Sequence, residues 1–288
     1  MNHPLCVFGE VLFDHFPDGT RVLGGAPFNV AWNLQALGEP VSFISRVGDD
    51  PEGGEVREAM RAWGMDTTGL QIDREHPTGQ VRVSLKGGEP SYDIVAPSAY
   101  DCIQPESYSS TCSLLYHGTL ALRNPVSRTA LEELLQSRAP GIVFVDVNLR
   151  SPWWSRDEVL RILERAHWVK LNEHELQWLA DDAAGTAAEF LQQHRLEGLI
   201  VTRGGAGAEL ITAKGDQFTA APAASIEVVD TVGAGDAFAS VIVLGLARGW
   251  SLQEMLERAQ AFASTIVGRR GATVNDRDYY QTFVQRWK

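Results

Sequence analysis

The sequence predicts an α/β protein: a mainly parallel central sheet layered between helices, one domain over residues 1–288, with a small β-sheet subdomain formed from about 11–23 and 78–95. Three observations carry this. Short apolar runs without polar alternation recur along the chain, as in strands buried on both faces. Between them lie stretches of helical periodicity, and strands alternating with helices imply parallel βαβ crossovers. Two segments break the rhythm with turn signals and strict alternation, which marks strands with one wet face.

In order, Leu5-Cys-Val-Phe8 is a buried strand stopped by Gly9. Apolar Val30, Ala31, Leu34 and Leu37 predict a helix over 28–37, stopped by Gly38. A strand over 41–47 and a helix over 51–63 follow. Pro17-Asp18-Gly19 marks a turn within 11–23. Over 78–95, Val81, Val83 and Leu85 alternate with Arg82, Ser84 and Lys86, and Gly87-Gly88 offers a hairpin turn before a returning strand at 92–95. The alternation then resumes, with helices over 129–137, 156–166, 173–179 and 187–194 and strands over 142–147, 168–171 and 199–202. Near the end come a strand at 226–229, an apolar helix over 237–248, and a helix opened by a Ser251/Glu254 capping box and closed by Arg269-Arg270-Gly271.

Composition narrows the partners. Lys and Arg number 25 against 37 Asp and Glu, a formal charge of −12, so the average field repels phosphate backbones and anionic headgroups. Neither nucleic acid nor membrane is expected as the main partner. Cys6, Cys102 and Cys112 are too few and scattered for a disulfide framework and read as small buried hydrophobes in a reducing compartment. Residues 1–10 lack a basic start and carry Glu10, unlike a signal peptide, and the longest apolar run, 237–247, is below the ~18 residues of a spanning helix. A soluble, cytoplasmic protein is expected.

The densest chemistry is Asp230-Thr-Val-Gly-Ala-Gly-Asp236, between a strand and a helix. Glycines there let a ligand approach the backbone, and the open N–H groups of the helix start attract an anion. Asp236 has two readings: an acid favourably placed against the helix dipole, or a base beside a phosphate site. The P-loop pattern, the dinucleotide G-x-G-x-x-G after the first strand, the G-x-S-x-G elbow and paired metal histidines are all absent.

The residues nonetheless form a recognisable set. Gly24-Gly-Ala-Pro-Phe-Asn-Val-Ala31, running on through Leu37-Gly38 to Arg46-Val-Gly-Asp-Asp50 and Gly53, resembles the first signature of the PfkB (ribokinase-like) carbohydrate kinases. Asp230-Thr-Val-Gly-Ala-Gly-Asp-Ala-Phe238 resembles the second. Asn172-Glu-His-Glu175 is similar to the family's N-x-x-E, and Thr202-Arg-Gly-Gly-Ala-Gly207 to its T-x-G-x-x-G. Order and spacing match over nearly the whole chain. Ser240-Val241 departs from the small residues usual there and leaves the catalytic positions untouched.

The resemblance implies a ribokinase-like three-layer α/β/α domain with a β-sheet lid, acting on ATP and Mg²⁺. By that likeness Asp236 is the base, Gly233, Ala234 and Gly235 form the anion hole, and Asp14, Gly25 and Asn29 bind sugar. Thr202, Gly204, Gly207 and Asn172 face the nucleotide, while Asn172 and Glu175 organise Mg²⁺ through water. Asp230 and the Gly271 loop mark a K⁺ site. Read without the likeness, Asp14 and Asp230 are turn acids and Asn29 is a helix-start residue. The lid is expected to close over the sugar and to form a homodimer interface.

Gly24-Gly-Ala-Pro27, His117-Gly-Thr-Leu-Ala-Leu122 and Asp146-Val-Asn-Leu-Arg150 resemble the fructokinase branch, which implies phosphorylation of a primary hydroxyl of fructose. Arg150 could instead hold the carboxylate of 2-keto-3-deoxygluconate, meet a phosphate, or pair with Asp146. A catalytically silent sugar-binding protein and a nucleoside kinase are the rival readings; an oxidoreductase lacks its fingerprint.

Overall fold

The computed structural model describes residues 5–86, 89–105, 112–180, 185–222, 230–269 and 271–287. The chain opens with Leu5–Phe8 (β1), Leu12–His15 (β2), Arg21–Gly24 (β3), Ala26–Ala36 (α1), Val41–Gly48 (β4), Pro51–Ala62 (α2) and Leu70–Asp73 (β5). It continues with Gly79–Lys86 (β6), Glu89–Ile94 (β7), Leu114–His117 (β8), Pro125–Arg138 (α3), Ile142–Asp146 (β9), Arg156–Leu163 (α4) and Trp168–Asn172 (β10). Then come Glu173–Leu179 (α5), Ala187–Gln193 (α6), Gly198–Thr202 (β11), Ala208–Thr212 (β12) and Gln217–Ala220 (β13). Three helices close the chain, Ala234–Arg248 (α7), Leu252–Val267 (α8) and Arg277–Arg286 (α9).

The first strand shows why the layers form. Its four side chains are all buried, Leu5 and Val7 in one apolar cluster and Cys6 and Phe8 in the other. A strand apolar on both faces needs helices on both. α1, α2, α7, α8 and α9 cover one face, through residues such as Phe28, Met60, Ile242, Phe262 and Phe283. α3, α4, α5 and α6 cover the other, through Leu131, Leu163, Leu179 and Phe190. The sheet order is β13-β12-β11-β10-β9-β8-β1-β4-β5, parallel except for the β11–β12 and β12–β13 pairs. This is the ribokinase-like α/β/α arrangement. From β1 the chain builds outward to β4 and β5, then returns to lay β8 on the opposite side of β1. That reversal is a topological switch point, where a crevice opens beyond the carboxyl ends of the strands.

A second sheet, β3-β2-β6-β7, pairs β2 with β6 in parallel and the other neighbours antiparallel. Its alternation is visible in burial: Val81 and Val83 are buried and Arg82 and Ser84 are not. Asp14 lies on β2, not in a turn.

Several boundaries move. The helix expected from 237 begins at Ala234, so the glycine turn is its first turn, with Gly233 as the N-cap. The helix expected from 129 begins at Pro125, capped by the Asn124 side chain. Ser251 caps α8 by accepting from the Glu254 N–H, but the Glu254 carboxylate turns to Arg258, so the box is half made. α8 ends at Val267 with Gly268 as its C-cap, before the predicted Arg269-Arg270-Gly271 stop. Cys6 and Cys112 are buried as expected, whereas Cys102 is only half-buried. β5, β8, the antiparallel edge β12–β13 and α9 add to the predicted elements. The strand expected at 226–229, the Gly87-Gly88 turn and Arg270 lie outside the described residues. Among the described residues no helix is long and apolar enough to cross a membrane.

Candidate active site

Two cavities meet at the start of α7. One, of about 450 Å³, is lined by Glu10 beyond β1, Leu120 beyond β8, Asn148 and Arg150 beyond β9, and Asp14 and Tyr92 from the small sheet. Gly25, Asn29, Gly233, Gly235 and Asp236 also line it. The other, of about 440 Å³, is lined by Thr202, Gly204 and Gly207 beyond β11, by Ala234 and Gly235, and by apolar Phe238, Ala263 and Val267. Thr231 and Gly235 line both. A polar chamber and a more apolar one thus share the glycine turn as their common wall.

Two glycines are dictated by this geometry. Gly25 caps α1 with φ 109°, and a Cβ there would stand 2.7 Å from the Glu10 carbonyl oxygen. Gly233 has φ 78°, and its Cβ would fall 2.3 Å from the Ala272 Cα. Only glycine fits either place. The Ala234 N–H leans on the Thr231 carbonyl at 3.3 Å, while Gly235, in the first turn of α7 where an N–H has no intrahelical acceptor, lines both cavities at the positive end of the helix.

Asp236 is held by a partner far away in sequence. The Asn29 amide Nδ2 donates to Asp236 Oδ2 at 2.7 Å. Asn29 Oδ1 is buried without a partner, an acceptor left over beside the polar cavity. Burial raises the Asp236 carboxyl to about 6; the Asn29 donor, Lys170 and Arg150 oppose the rise and Asp146 adds to it. Asp14 is likewise raised by burial to about 6, with Arg150 and His15 pulling down.

Arg150 does not pair with Asp146. Asp146 is taken by Lys170, whose ammonium lies 2.8 and 2.9 Å from its two oxygens, and the Tyr116 hydroxyl donates to it at 3.3 Å. Arg150 donates instead to the Leu149 carbonyl and reaches the polar cavity. Asn148, at a φ of 41°, turns the chain there.

Asn172 and Glu175 line neither cavity. They form the capping box of α5: the Asn172 side chain accepts from the Glu175 N–H at 2.9 Å, and Glu175 accepts from the Asn172 N–H at 2.8 Å. The other Glu175 oxygen accepts from the Leu149 N–H at 2.7 Å, which fixes the loop carrying Arg150. With its oxygens so engaged, the pair suits a cation that keeps its water shell, and direct ligation would break the cap. Asp230 accepts from the Val232 and Gly271 N–H groups, tying the glycine turn to the following loop, and lines neither cavity.

Glu10 and the pairing of Lys170 with Asp146 belong to no sequence motif. A signal existed for the pair: Asp146 closes the apolar strand Ile-Val-Phe-Val-Asp146 and Lys170 interrupts the apolar run Trp-Val-Lys170-Leu. Its position matters, because a Cβ on Gly235 would lie 3.6 Å from the Lys170 ammonium, directly behind the shared wall.

A polar chamber holding a raised carboxyl, separated from a second chamber by an anion-attracting helix start, defines a group-transfer enzyme moving an anionic group onto a polar acceptor. The family is shown by comparison. Residues 7–278 match the model of the pfkB family carbohydrate kinases. A fructokinase from Klebsiella pneumoniae is 36% identical over 86% of this chain and 85% of its own length. An aminoimidazole riboside kinase from Salmonella typhimurium is 32% identical over 92% of this chain and 89% of its own. The crystal structure of a Vibrio cholerae fructokinase, in a form with fructose, ADP and calcium ion bound, matches with a TM-score of 0.81 at 26% identity, over 98% of this chain and 99% of that one. The chain belongs to the pfkB family of carbohydrate kinases, in its fructokinase-like branch, and is an ATP-dependent sugar phosphotransferase.

Proposed function

We propose that this kinase phosphorylates a primary hydroxyl of an uncharged ketohexose, fructose first among them, with Asp236 as the general base. The observation that carries the reading is Asp236 itself: a carboxyl raised to about 6, oriented by Asn29, at the junction of the two cavities. A base with a pKa near the working pH is ionised at neutrality and still strong enough to accept a hydroxyl proton.

The sugar sits in the polar cavity, where Asp14, Arg150 and the Asn29 carbonyl oxygen offer two kinds of acceptor and one donor group to its hydroxyls. Gly25 lets the ring approach the backbone. The nucleotide occupies the cavity of Thr202, Gly204 and Gly207, its base region against Phe238, Ala263 and Val267. Asp236 takes the proton of the attacking hydroxyl, and the Gly233–Gly235 backbone meets the charge on the group in flight. A bound Mg²⁺ would neutralise phosphate charge, its water shell held near Asn172 and Glu175; a K⁺ site would lie by Asp230 and the Gly271 loop. The small sheet closes over the sugar as a lid and excludes water. The same sheet is also the surface through which two chains would pair as a homodimer, a reading supported by the exposed Val22 on it.

Fructose is favoured over a sugar acid because three carboxyls, Glu10, Asp14 and Asp236, line the polar cavity with Arg150 as the one basic residue among its lining. The test is ADP release with Mg·ATP across fructose, 2-keto-3-deoxygluconate, ribose, glucose, adenosine and aminoimidazole riboside. Turnover chiefly on fructose is expected; turnover only on the keto-acid, or only on a riboside, would reassign the acceptor. Asp14→Ala is expected to raise the sugar KM at least tenfold with a smaller effect on kcat, since hydrogen bonds to a charged group contribute about 1.5–3 kcal/mol. An unchanged KM would remove Asp14 from the sugar site.

A further inference from the structure

The acceptor cavity contains an acid that the reaction derived above does not use. Glu10 lies where the chain crosses from β1 into the small sheet, is 3% exposed, and lines the polar cavity. Its Oε2 is buried and accepts no hydrogen bond. Arg123, across from it, also has one nitrogen, Nη1, buried without a partner, while its other nitrogens hold Asp101, the Tyr100 hydroxyl and the Val95 carbonyl. The charged groups that reach Glu10 are Arg150 beyond β9, Arg123 beyond β8 and Asp236 on α7; Tyr100 and Tyr116 are its neutral titratable neighbours. Asp14, on β2, lines the same cavity. Arg123 is already committed to Asp101 at 2.7 Å, so the cavity wall is short of positive charge.

We infer that Glu10 is a specificity-determining residue, its carboxylate confining the acceptor site to uncharged sugars by repelling a substrate that brings a carboxylate of its own. This rests on the sugar-acceptor reading of the same cavity. Like charges a few ångströms apart in a partly buried site interact strongly, and among the described residues no group hydrogen-bonds Glu10 Oε2. Burial raises the Glu10 carboxyl to about 7, against the pull of its own backbone, Arg150 and Arg123, so the repulsion switches on as pH rises through neutrality. Below that, the protonated acid repels nothing.

The experiment is the ratio of kcat/KM for 2-keto-3-deoxygluconate to that for fructose, between pH 6 and 8.5, in the wild type and Glu10→Gln. The same ratio is taken from dissociation constants measured by calorimetry without nucleotide. The sugar acid is ionised throughout this range. Asp236 and Asp14, raised to about 6 in the same cavity, also repel it as they ionise, so only the part of the step that Glu10→Gln removes is assigned to Glu10. The wild-type ratio is expected to fall at least about tenfold as pH rises through 7, and the step near 7 to vanish in Glu10→Gln. Should Glu10→Gln fail to fold, Glu10→Asp keeps the acid and is expected to keep the step at a shifted pH. A flat wild-type ratio, or the same step in Glu10→Gln, overturns the inference. If neither compound is turned over, the fructose reading fails, and the binding ratio still decides the role of Glu10.

Discussion

Replacing Asp236 by Asn is expected to lower kcat by at least about 10²-fold while leaving sugar affinity near that of the wild type. The amide can still accept from Asn29, so the side chain keeps its place, but it cannot take up a proton. Two further measurements separate this from unfolding. In the wild type, kcat/KM is expected to fall as pH drops through about 6, because burial holds the Asp236 carboxyl there and only the ionised form acts as base. The sign for stability is the opposite. A carboxyl whose folded pKa is raised stabilises the fold below its unfolded value, near 3.8, and that contribution is lost as pH rises through about 6. At pH 7.5 the native chain therefore carries the cost of a charged Asp236, which the Asn variant lacks, so its Tm should match or exceed that of the wild type. Retained turnover would refute the base assignment, and a fall of several degrees in Tm would make the loss structural.

Lys170→Met is expected to produce the largest loss of stability. Lys170 and Asp146 are both buried and bonded through both carboxylate oxygens, and removing the cation strands the anion in the core. Breaking a buried pair in this way costs about 3–5 kcal/mol. Urea denaturation at pH 7.5 reads this directly, as a lower midpoint at unchanged slope. The double variant Lys170→Met/Asp146→Leu should recover most of the loss, since an apolar pair of similar volume is often as stable as the ion pair it replaces. A single-variant loss below about 1 kcal/mol would mean that water reaches Asp146 and relieves it. The recovered double variant should remain impaired as an enzyme. Its missing ammonium lay directly behind Gly235, in the wall that both cavities share.

The two variants mark different depths of legibility. Asp236 stood out in the sequence because its chemistry is contiguous: glycines, a helix start and an acid within seven residues. The Lys170–Asp146 pair spans 24 residues, and the Asn29–Asp236 bond spans 207, so a local pattern can flag an unusual charge but not name its partner. Arg150 illustrates the same limit. Its neighbourhood in sequence suggested Asp146 as a partner, but Asp146 faces Lys170 on the adjacent strand β10, paired with β9 in the sheet. Asn172 and Glu175 were legible as a helical pair three residues apart. Their mutual capping, and the Leu149 N–H that takes the second Glu175 oxygen, depend on where the loop after β9 folds.

The layered fold, the small second sheet and the glycine turn at the start of α7 are written in short stretches of the chain. Each is encoded in the period of apolar residues or in backbone conformations only glycine adopts, and these are properties of neighbouring residues. Which acids are raised, which are paired, and that Glu10 Oε2 is buried beside the polar cavity without a hydrogen-bond partner are settled only when the chain is packed. Desolvation and pairing are set by what packs around a group, and in this fold those atoms arrive from segments far apart in the chain.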